Sequence, residues 1–255
     1  MGCDMNAIEK LGDYLVYRDL KASTAEYYRR VVQVYVRANG VELDSRKLSE
    51  WLGDLRSKGK SDHYRRSLKN GLQAILRFNG DEGRIRPVKC APLDHRFWDA
   101  DEVRRLIEAA PDRWWKTIIG AGWCLGFSQC DLLALKRHNV HENGIVVTRR
   151  QKTGKLVSGQ LEPWILEQMP ATDPIWKYDR TKEWFRKQFR RICWKARLDG
   201  SFKQLRRSAA ASVEARYREQ SHRFLGNTRA VCEQHYLPQS LLAEHALRPE
   251  ILREG

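Results

Sequence analysis

Tyr236 lies near the C-terminal end of the chain, in the segment Val-Cys-Glu-Gln-His-Tyr-Leu-Pro-Gln. A tyrosine phenol can act as a nucleophile, but most tyrosines pack as ordinary aromatic residues. Two other residues raise the same question. Arg206 could bind an anion or belong to a basic surface, and Lys152 could donate a proton or be a solvated turn lysine. Each residue taken alone favours the structural interpretation, so the rest of the chain has to decide.

The charge of the chain indicates the class of partner. Its 255 residues carry a formal net charge of +15, with 42% hydrophobic and 31% charged residues. This mixture is typical of a folded protein, and a protein this basic usually binds a polyanion, with nucleic acid the first expectation. A ribosomal or membrane surface would favour the same sign of charge.

The absence of targeting signals and the positions of the cysteines indicate the expected cellular compartment and whether a metal site is expected. No apolar run approaches the roughly 20 residues that span a bilayer, and the first ten residues contain no apolar signal core. We therefore expect a cytoplasmic, nucleoid-associated protein with reduced cysteines and no membrane partner. Cys124, Cys130, His138 and His141 lie close in sequence, but their spacing is not that of a known structural zinc site, so we expect no metal and no cofactor.

Helical periodicity predicts a small four-helix domain over residues 1–80. The pattern Ser23-Thr24-Ala25-Glu26 is a capping box that predicts a helix start, and Asn39-Gly40 predicts its end. Apolar residues at helical spacing continue through two further helices, the last of which ends before Gly80. Glycines and prolines among charges then predict a linker over residues 81–96.

The remaining residues, 97–255, form a larger domain that we also expect to be mainly α-helical. Asp99 and Glu102 predict its first helix start, and apolar runs predict helices over 114–125, 131–137 and 181–197. The one β element is a hairpin, because two β-branched runs flank the turn Gln-Lys-Thr-Gly-Lys that contains Lys152.

Basic residues are concentrated on particular helices. From residue 176 to residue 218 the chain has fourteen basic and four acidic residues, whereas an ordinary solvated face mixes the two signs. We interpret these faces as surfaces that contact the phosphate backbone of nucleic acid. The residues predicted to make these contacts are Arg29, Arg30, Arg65, Arg66, Arg186, Lys187, Arg190, Arg191 and Arg207.

Five motifs in order resemble the tyrosine recombinase family, the phage-type integrases. They are Trp-Asp-Ala-Asp-Glu-Val, Gly-Phe-Ser-Gln-Cys-Asp-Leu-Leu-Ala-Leu, the lysine turn, Phe-Lys-Gln-Leu-Arg-Arg-Ser, and Phe-Leu-Gly-Asn-Thr followed by Tyr236. The resemblance extends from about Asp4 to Tyr236 and is strongest over residues 98–237. None of these motifs is specific alone, but their order and separations are.

The resemblance implies a fold, a reaction and partners. It implies a helical, SAM-like core-binding domain before a catalytic domain that cleaves and rejoins double-stranded DNA at specific sites through a 3′-phosphotyrosine. It assigns Tyr236 as the nucleophile, Arg206 as a phosphate-binding arginine and Lys152 as the general acid. It also implies a tetramer on paired sites, with a C-terminal tail helix around Leu241, Leu242 and Ala246 that docks on a neighbouring subunit.

The sequence departs from the family pattern at three positions. Ser128 stands where the family has its first arginine, Lys203 where it has a histidine, and Asn227 where it has a histidine or tryptophan. Lysine and asparagine retain hydrogen-bond donors, and we expect them to take the donor roles, but serine does not retain the charge. Arg149 or Arg150, just before the turn lysine, could supply the missing guanidinium.

Two alternatives to an active recombinase remain. The chain could be a repurposed integrase that binds DNA without strand transfer, since the same basic faces would serve it. An RNA-binding helical protein would explain the charge but not the ordered motifs.

Overall fold

A computed structural model describes residues 5–91 and 96–238, and the chain divides into two compact units, residues 1–93 and 94–255. The residues predicted to form a tail helix, Leu241, Leu242 and Ala246, lie outside the described residues. The helices of the first unit are α1 (Ala7–Tyr17), α2 (Ala22–Asn39), α3 (Ser45–Ser57) and α4 (Asp62–Phe78). The predicted four helices are therefore present.

The helix ends of the first unit follow from local chemistry, with one correction. The side chains of Asn6, Asp44 and Ser61 cap α1, α3 and α4 by accepting backbone N–H bonds. The capping box predicted at Ser23 is wrong, because α2 begins at Ala22 without a side-chain cap and Ser23 lies inside the helix. The predicted end of α2 is confirmed: Gly40 has a φ of 77°, which glycine adopts without strain.

The core of the first unit includes part of the predicted linker. Tyr35, Leu48, Leu72 and Ile75 are fully buried, and Ile85 belongs to the same cluster. The carboxylate of Asp81 accepts hydrogen bonds from the backbone and hydroxyl of Ser45. Residues 81–91 have no helix or strand, but their first half is anchored to the first unit by these contacts.

The second unit is helical around one hairpin. Its helices are α5 (Ala100–Glu108), α6 (Arg113–Leu125), α7 (Gln129–Leu133), a 3₁₀ turn (Arg137–Asn139), α8 (Pro163–Gln168), α9 (Lys182–Lys195), α10 (Phe202–Arg216), α11 (Ser221–Leu225) and α12 (Arg229–His235). Its strands, β1 (Ile145–Arg149) and β2 (Leu156–Gln160), pair antiparallel with Val147 opposite Ser158. The hairpin is therefore confirmed, as is the capping box of Asp99 and Glu102.

The helix predicted over residues 131–137 is wrong in its bounds. Asp131 occupies the N3 position of a capping box whose N-cap residue is Ser128, so α7 begins at Gln129. It ends at Leu133, and the backbone N–H of Arg137 donates instead to Asp173. The segment is a one-turn helix followed by a 3₁₀ turn.

Close packing of α6 against α10 positions the functional side chains. A methyl group at Gly122 of α6 would lie 3.2 Å from Leu205 and Phe202, so the two helices approach closely because this position is glycine. Trp115, Phe185 and Phe202 complete an aromatic core around this contact. No helix within residues 5–91 and 96–238 is long and apolar enough to cross a membrane.

Candidate active site

Arg206 of α10 is held at the C-terminal ends of two other helices. It is 4% exposed, and its guanidinium donates to the carbonyl of Gly126, after α6, and at 3.3 Å to that of Leu225, which ends α11. The last carbonyls of a helix lack intrahelical partners and carry partial negative charge, so they attract a guanidinium. Gly126 has a φ of 57° and turns the chain at this point.

Tyr236 follows the last residue of α12, and its ring lies against Arg206. The Cζ atom of Arg206 is 4.9 Å from the ring centroid. Burial opposes ionisation of the half-buried phenol, but the hydrogen bond and charge of Arg206, with the charges of Lys203 and Arg150, outweigh it and lower the pKa of Tyr236 below 10.0. A lowered pKa increases the fraction of the nucleophilic phenolate.

A second arginine lies beside Arg206. Arg150 follows β1 and is 8% exposed, and its Nη2 donates to the carbonyl of Leu225, the same oxygen that Arg206 contacts. Its Nη1 lies 3.6 Å from the carboxylate of Asp131. Burial, followed by repulsion from Arg206, lowers the pKa of Arg150. Arg149 differs, because it is exposed and donates to Gly154 within the hairpin turn.

Asp131 links the position of the missing arginine to the hairpin. The Ser128 hydroxyl donates to this buried carboxylate at 2.6 Å, and the backbone N–H of Gln151 donates to its other oxygen at 2.8 Å. Together with the ion pair to Arg150, these bonds join the start of α7 to the turn that contains Lys152. Ser128 contributes a hydroxyl here and no positive charge.

Three further cations lie around Tyr236 and the turn. Desolvation, followed by repulsion from Arg207, lowers the pKa of Lys203, and Lys152 acts on it in the same direction. The half-buried Arg207 interacts electrostatically with Tyr236, and its Nε is buried without a hydrogen-bond partner among the described residues. Arg207 thus lies near the tyrosine as well as being a predicted DNA contact. Lys152 is exposed at the turn.

Asn227 occupies the turn between α11 and α12. Its backbone N–H donates to His222 at 2.9 Å, and its side chain bonds the thiol of buried Cys232. Cys232 belongs to a small core against which Tyr236 packs. In this arrangement Asn227 holds α12, and with it the tyrosine, in place.

The predicted DNA-contacting residues are exposed with two exceptions, Arg65 and Arg207. Arg65 was expected on the solvent face of α4, and this is wrong: it is 9% exposed, its Nε donates to the carbonyl of Leu52, and it pairs with Asp62 at 2.6 Å. Arg65 lies three residues after Asp62, on the side of α4 that packs against α3. The exposed residues are Arg29, Arg30, Arg66, Arg186, Lys187, Arg190 and Arg191.

The sequence predicts most residues of this site but not which additional arginines lie beside Arg206 and Tyr236. Arg149 and Arg150 are both predicted as substitutes for the missing arginine, and no sequence pattern distinguishes one from the other. The position of Arg207 beside Tyr236 also had no signal. Among the residues described, no group of three or more His, Cys, Asp or Glu side chains could hold a metal ion.

Comparisons with known proteins identify the fold. No protein-family model and no curated protein matches the sequence. Lambda integrase (75–356), a dimer bound to a COC′ core site, matches with a TM-score of 0.73 at 15% identity over 98% of this chain and 100% of that chain. Tn1549 transposon integrase in complex with circular intermediate DNA matches with a TM-score of 0.66 at 14% identity, over 95% and 100%. XerA recombinase gives 0.50 at 17% identity, over 95% and 99%.

These neighbours are tyrosine recombinases, so the chain has the tyrosine recombinase fold over nearly its whole length. The predicted fold class, mainly α-helical with one small hairpin, is confirmed. At these identities the likeness is one of fold, and the activity has to be argued from the site itself.

Proposed function

We propose that this chain is a DNA-binding tyrosine recombinase that cleaves and rejoins DNA strands at specific sites through a 3′-phosphotyrosine at Tyr236. The observation that carries this proposal is the position of Tyr236 against the buried guanidinium of Arg206, which together with neighbouring cations lowers the pKa of the phenol. A tyrosine that only packs near a helix end does not need a buried cation at its ring.

The proposed reaction is a reversible exchange of phosphodiester bonds. The Tyr236 oxygen forms a bond to phosphorus while the bond from phosphorus to the 5′-oxygen breaks, and Lys152 donates a proton to that leaving oxygen. Arg206 and Lys203 stabilise the negative charge that develops on the non-bridging oxygens. Asn227, whose side chain also bonds the Cys232 thiol, is proposed as a further hydrogen-bond donor to these oxygens. In rejoining, a 5′-hydroxyl attacks the phosphotyrosine and releases Tyr236, so no external energy source is consumed.

The proposed partner is double-stranded DNA, bound through exposed basic residues of both units. Arg29, Arg30 and Arg66 are exposed in the first unit, and α9 presents Lys187, Arg190 and Arg191 in the second. We propose self-association on paired sites as a tetramer, which is supported by the fold match to a lambda integrase tetramer bound to a Holliday junction. Recombination on DNA also accounts for the expected cytoplasmic, nucleoid-associated location.

A DNA-binding protein without strand transfer is the second candidate. Serine at position 128 favours it, since loss of one oxyanion donor typically costs about 10²–10³ in rate. The same basic faces would bind DNA in such a protein.

Covalent trapping distinguishes the two candidates. The purified chain is incubated with a pool of nicked duplexes of varied sequence, in which the short cleaved strand diffuses away, and adducts are resolved on a denaturing gel. We expect an adduct from the wild type that is absent from Tyr236→Phe. An adduct that forms only after Ser128→Arg would instead support the binding protein, and excess RNA as competitor tests the preference for duplex DNA.

A further inference from the structure

The phosphate site of this chain has a second guanidinium that comes from the hairpin. We infer that Arg150 binds the non-bridging oxygens of the scissile phosphate together with Arg206, in place of the arginine that Ser128 replaces. This inference rests on the proposed function for the identity of the phosphate, and it assigns to Arg150 a role as a catalytic residue.

The guanidiniums of Arg150 and Arg206 share one carbonyl partner. Both donate to the carbonyl oxygen of Leu225, so their Nη2 atoms converge on one point. Arg206 is 4% exposed and Arg150 is 8% exposed, so the two are equally withdrawn from solvent. Both charges lower the pKa of Tyr236, and the Cζ atom of Arg206 lies 4.9 Å from the centroid of the tyrosine ring. Two adjacent guanidiniums can bind a phosphate through several parallel hydrogen bonds.

Arg150 and Arg206 are two buried cations that meet at one carbonyl oxygen. Arg150 has an ion pair with Asp131, but that carboxylate also accepts hydrogen bonds from Ser128 and Gln151. Two buried like charges this close repel each other, and burial without full pairing costs free energy. An anion that binds both guanidiniums removes this repulsion.

One donor of the Arg150 guanidinium is unused among the described residues. The Nε of Arg150 is buried and has no hydrogen-bond partner within the described part of the chain. Buried guanidinium donors are normally satisfied, so an unpartnered one requires an explanation, and a bound anion would supply the missing acceptor.

Asp131 explains why the hairpin arginine can take this place. Its carboxylate binds the Ser128 hydroxyl at 2.6 Å and Arg150 at 3.6 Å, so the residue that precedes the lysine turn is tethered to the start of α7. Because Arg150 and Lys152 are two residues apart on the hairpin, placement of this element sets both the phosphate clamp and the general acid.

Binding of inorganic phosphate to the full chain tests the inference without requiring strand cleavage. Affinity is measured by ³¹P line broadening for the wild type, Arg150→Ala and the matched control Arg149→Ala. We expect Arg150→Ala to weaken phosphate binding by about tenfold or more and Arg149→Ala by less than about twofold. Equal effects of the two substitutions would overturn the inference, since exposed cations would then account for the binding.

A rescue separates phosphate binding from a structural role. In the Arg150→Ala background, Ser128→Arg is expected to restore phosphate affinity and, where the wild type forms a covalent adduct, the adduct as well. A structural role for Arg150 would not be rescued from position 128. Should Arg150→Ala fail to fold, as judged by circular dichroism, Arg150→Lys decides: weaker phosphate binding is expected, and unchanged affinity overturns the inference.

The two proposals fail in different ways. If the wild type forms no adduct with DNA but Arg150→Ala weakens phosphate binding, the proposed recombinase activity is refuted and the phosphate-binding role of Arg150 stands. If the wild type forms the adduct and Arg150→Ala is as active as Arg149→Ala, the recombinase activity stands and the phosphate-binding role of Arg150 is refuted.

Discussion

Replacing Arg206 by lysine keeps one positive charge but removes the planar guanidinium, whose N–H donors contact several groups at once. The guanidinium donates to the carbonyls of Gly126 and Leu225 and bonds the phenol of Tyr236, whereas an ammonium on a flexible stem cannot hold all three at once. Loss of one charge-assisted hydrogen bond in this buried place should cost about 1.5–3 kcal/mol of unfolding free energy.

The same substitution should affect the chemistry more than the stability. Loss of an oxyanion donor lowers the cleavage rate by about 10²–10³. The pKa of Tyr236 should also rise, because burial then acts with less compensation from Arg206.

Three measurements check the Arg206→Lys prediction, with Arg190→Lys on the exposed face of α9 as the matched control. Urea denaturation gives the unfolding free energy, absorbance titration compared with Tyr236→Phe gives the tyrosine pKa, and single-turnover cleavage of a nicked duplex gives the rate. A folded Arg206→Lys protein with the cleavage rate and tyrosine pKa of the control would refute the assignment of Arg206 as the phosphate-binding group.

Three further predictions follow from other features of the same unit. Gly126→Ala should lower the unfolding free energy by about 1–2 kcal/mol, because φ is +57° and the new methyl group would lie 2.5 Å from the ring of Phe224; an unchanged urea midpoint would contradict this. The pKa of Tyr236 in the folded protein lies below its unfolded value of 10.0. The wild type should therefore gain stability relative to Tyr236→Phe as pH rises from below the folded pKa toward 10, and lose that stability as pH falls. Urea denaturation of both proteins at pH 7 and pH 10 shows the sign of this difference. The double substitution Arg190→Ala and Arg191→Ala should reduce the slope of log K for duplex DNA against log salt by about 0.9 per lost contact, and an unchanged slope in filter binding would remove these residues from the DNA surface.

The elements of the fold were predictable where local chemistry decides them. Asp99 with Glu102, Asn39 before Gly40, and the β-branched runs around the lysine turn each determine a local conformation, and the structure confirms all three. The capping box predicted at Ser23 is wrong because serine and glutamate also occur inside helices, and α2 already begins at Ala22.

The site was less predictable because its side chains meet across long separations in sequence. Arg150 and Arg206 converge on Leu225 although they lie far apart in the chain, and no local pattern indicates that contact. The prediction that Arg65 is exposed is wrong for the same reason, since the carbonyl that accepts its hydrogen bond belongs to Leu52 in the preceding helix. Ordered motifs predicted which residues belong to one site, while tertiary packing decided which of them touch.

The identity of the residue that becomes bonded to DNA tests the central claim most directly. The wild-type chain is trapped on nicked duplexes, the DNA is digested by nuclease, and the peptide that retains a nucleotide is identified by mass spectrometry. We predict a nucleotide on Tyr236, linked through a 3′-phosphate, with none on that peptide from Tyr236→Phe. A nucleotide on another residue, or no modified peptide under conditions in which the chain binds the duplex, would contradict the assignment of Tyr236 as the nucleophile.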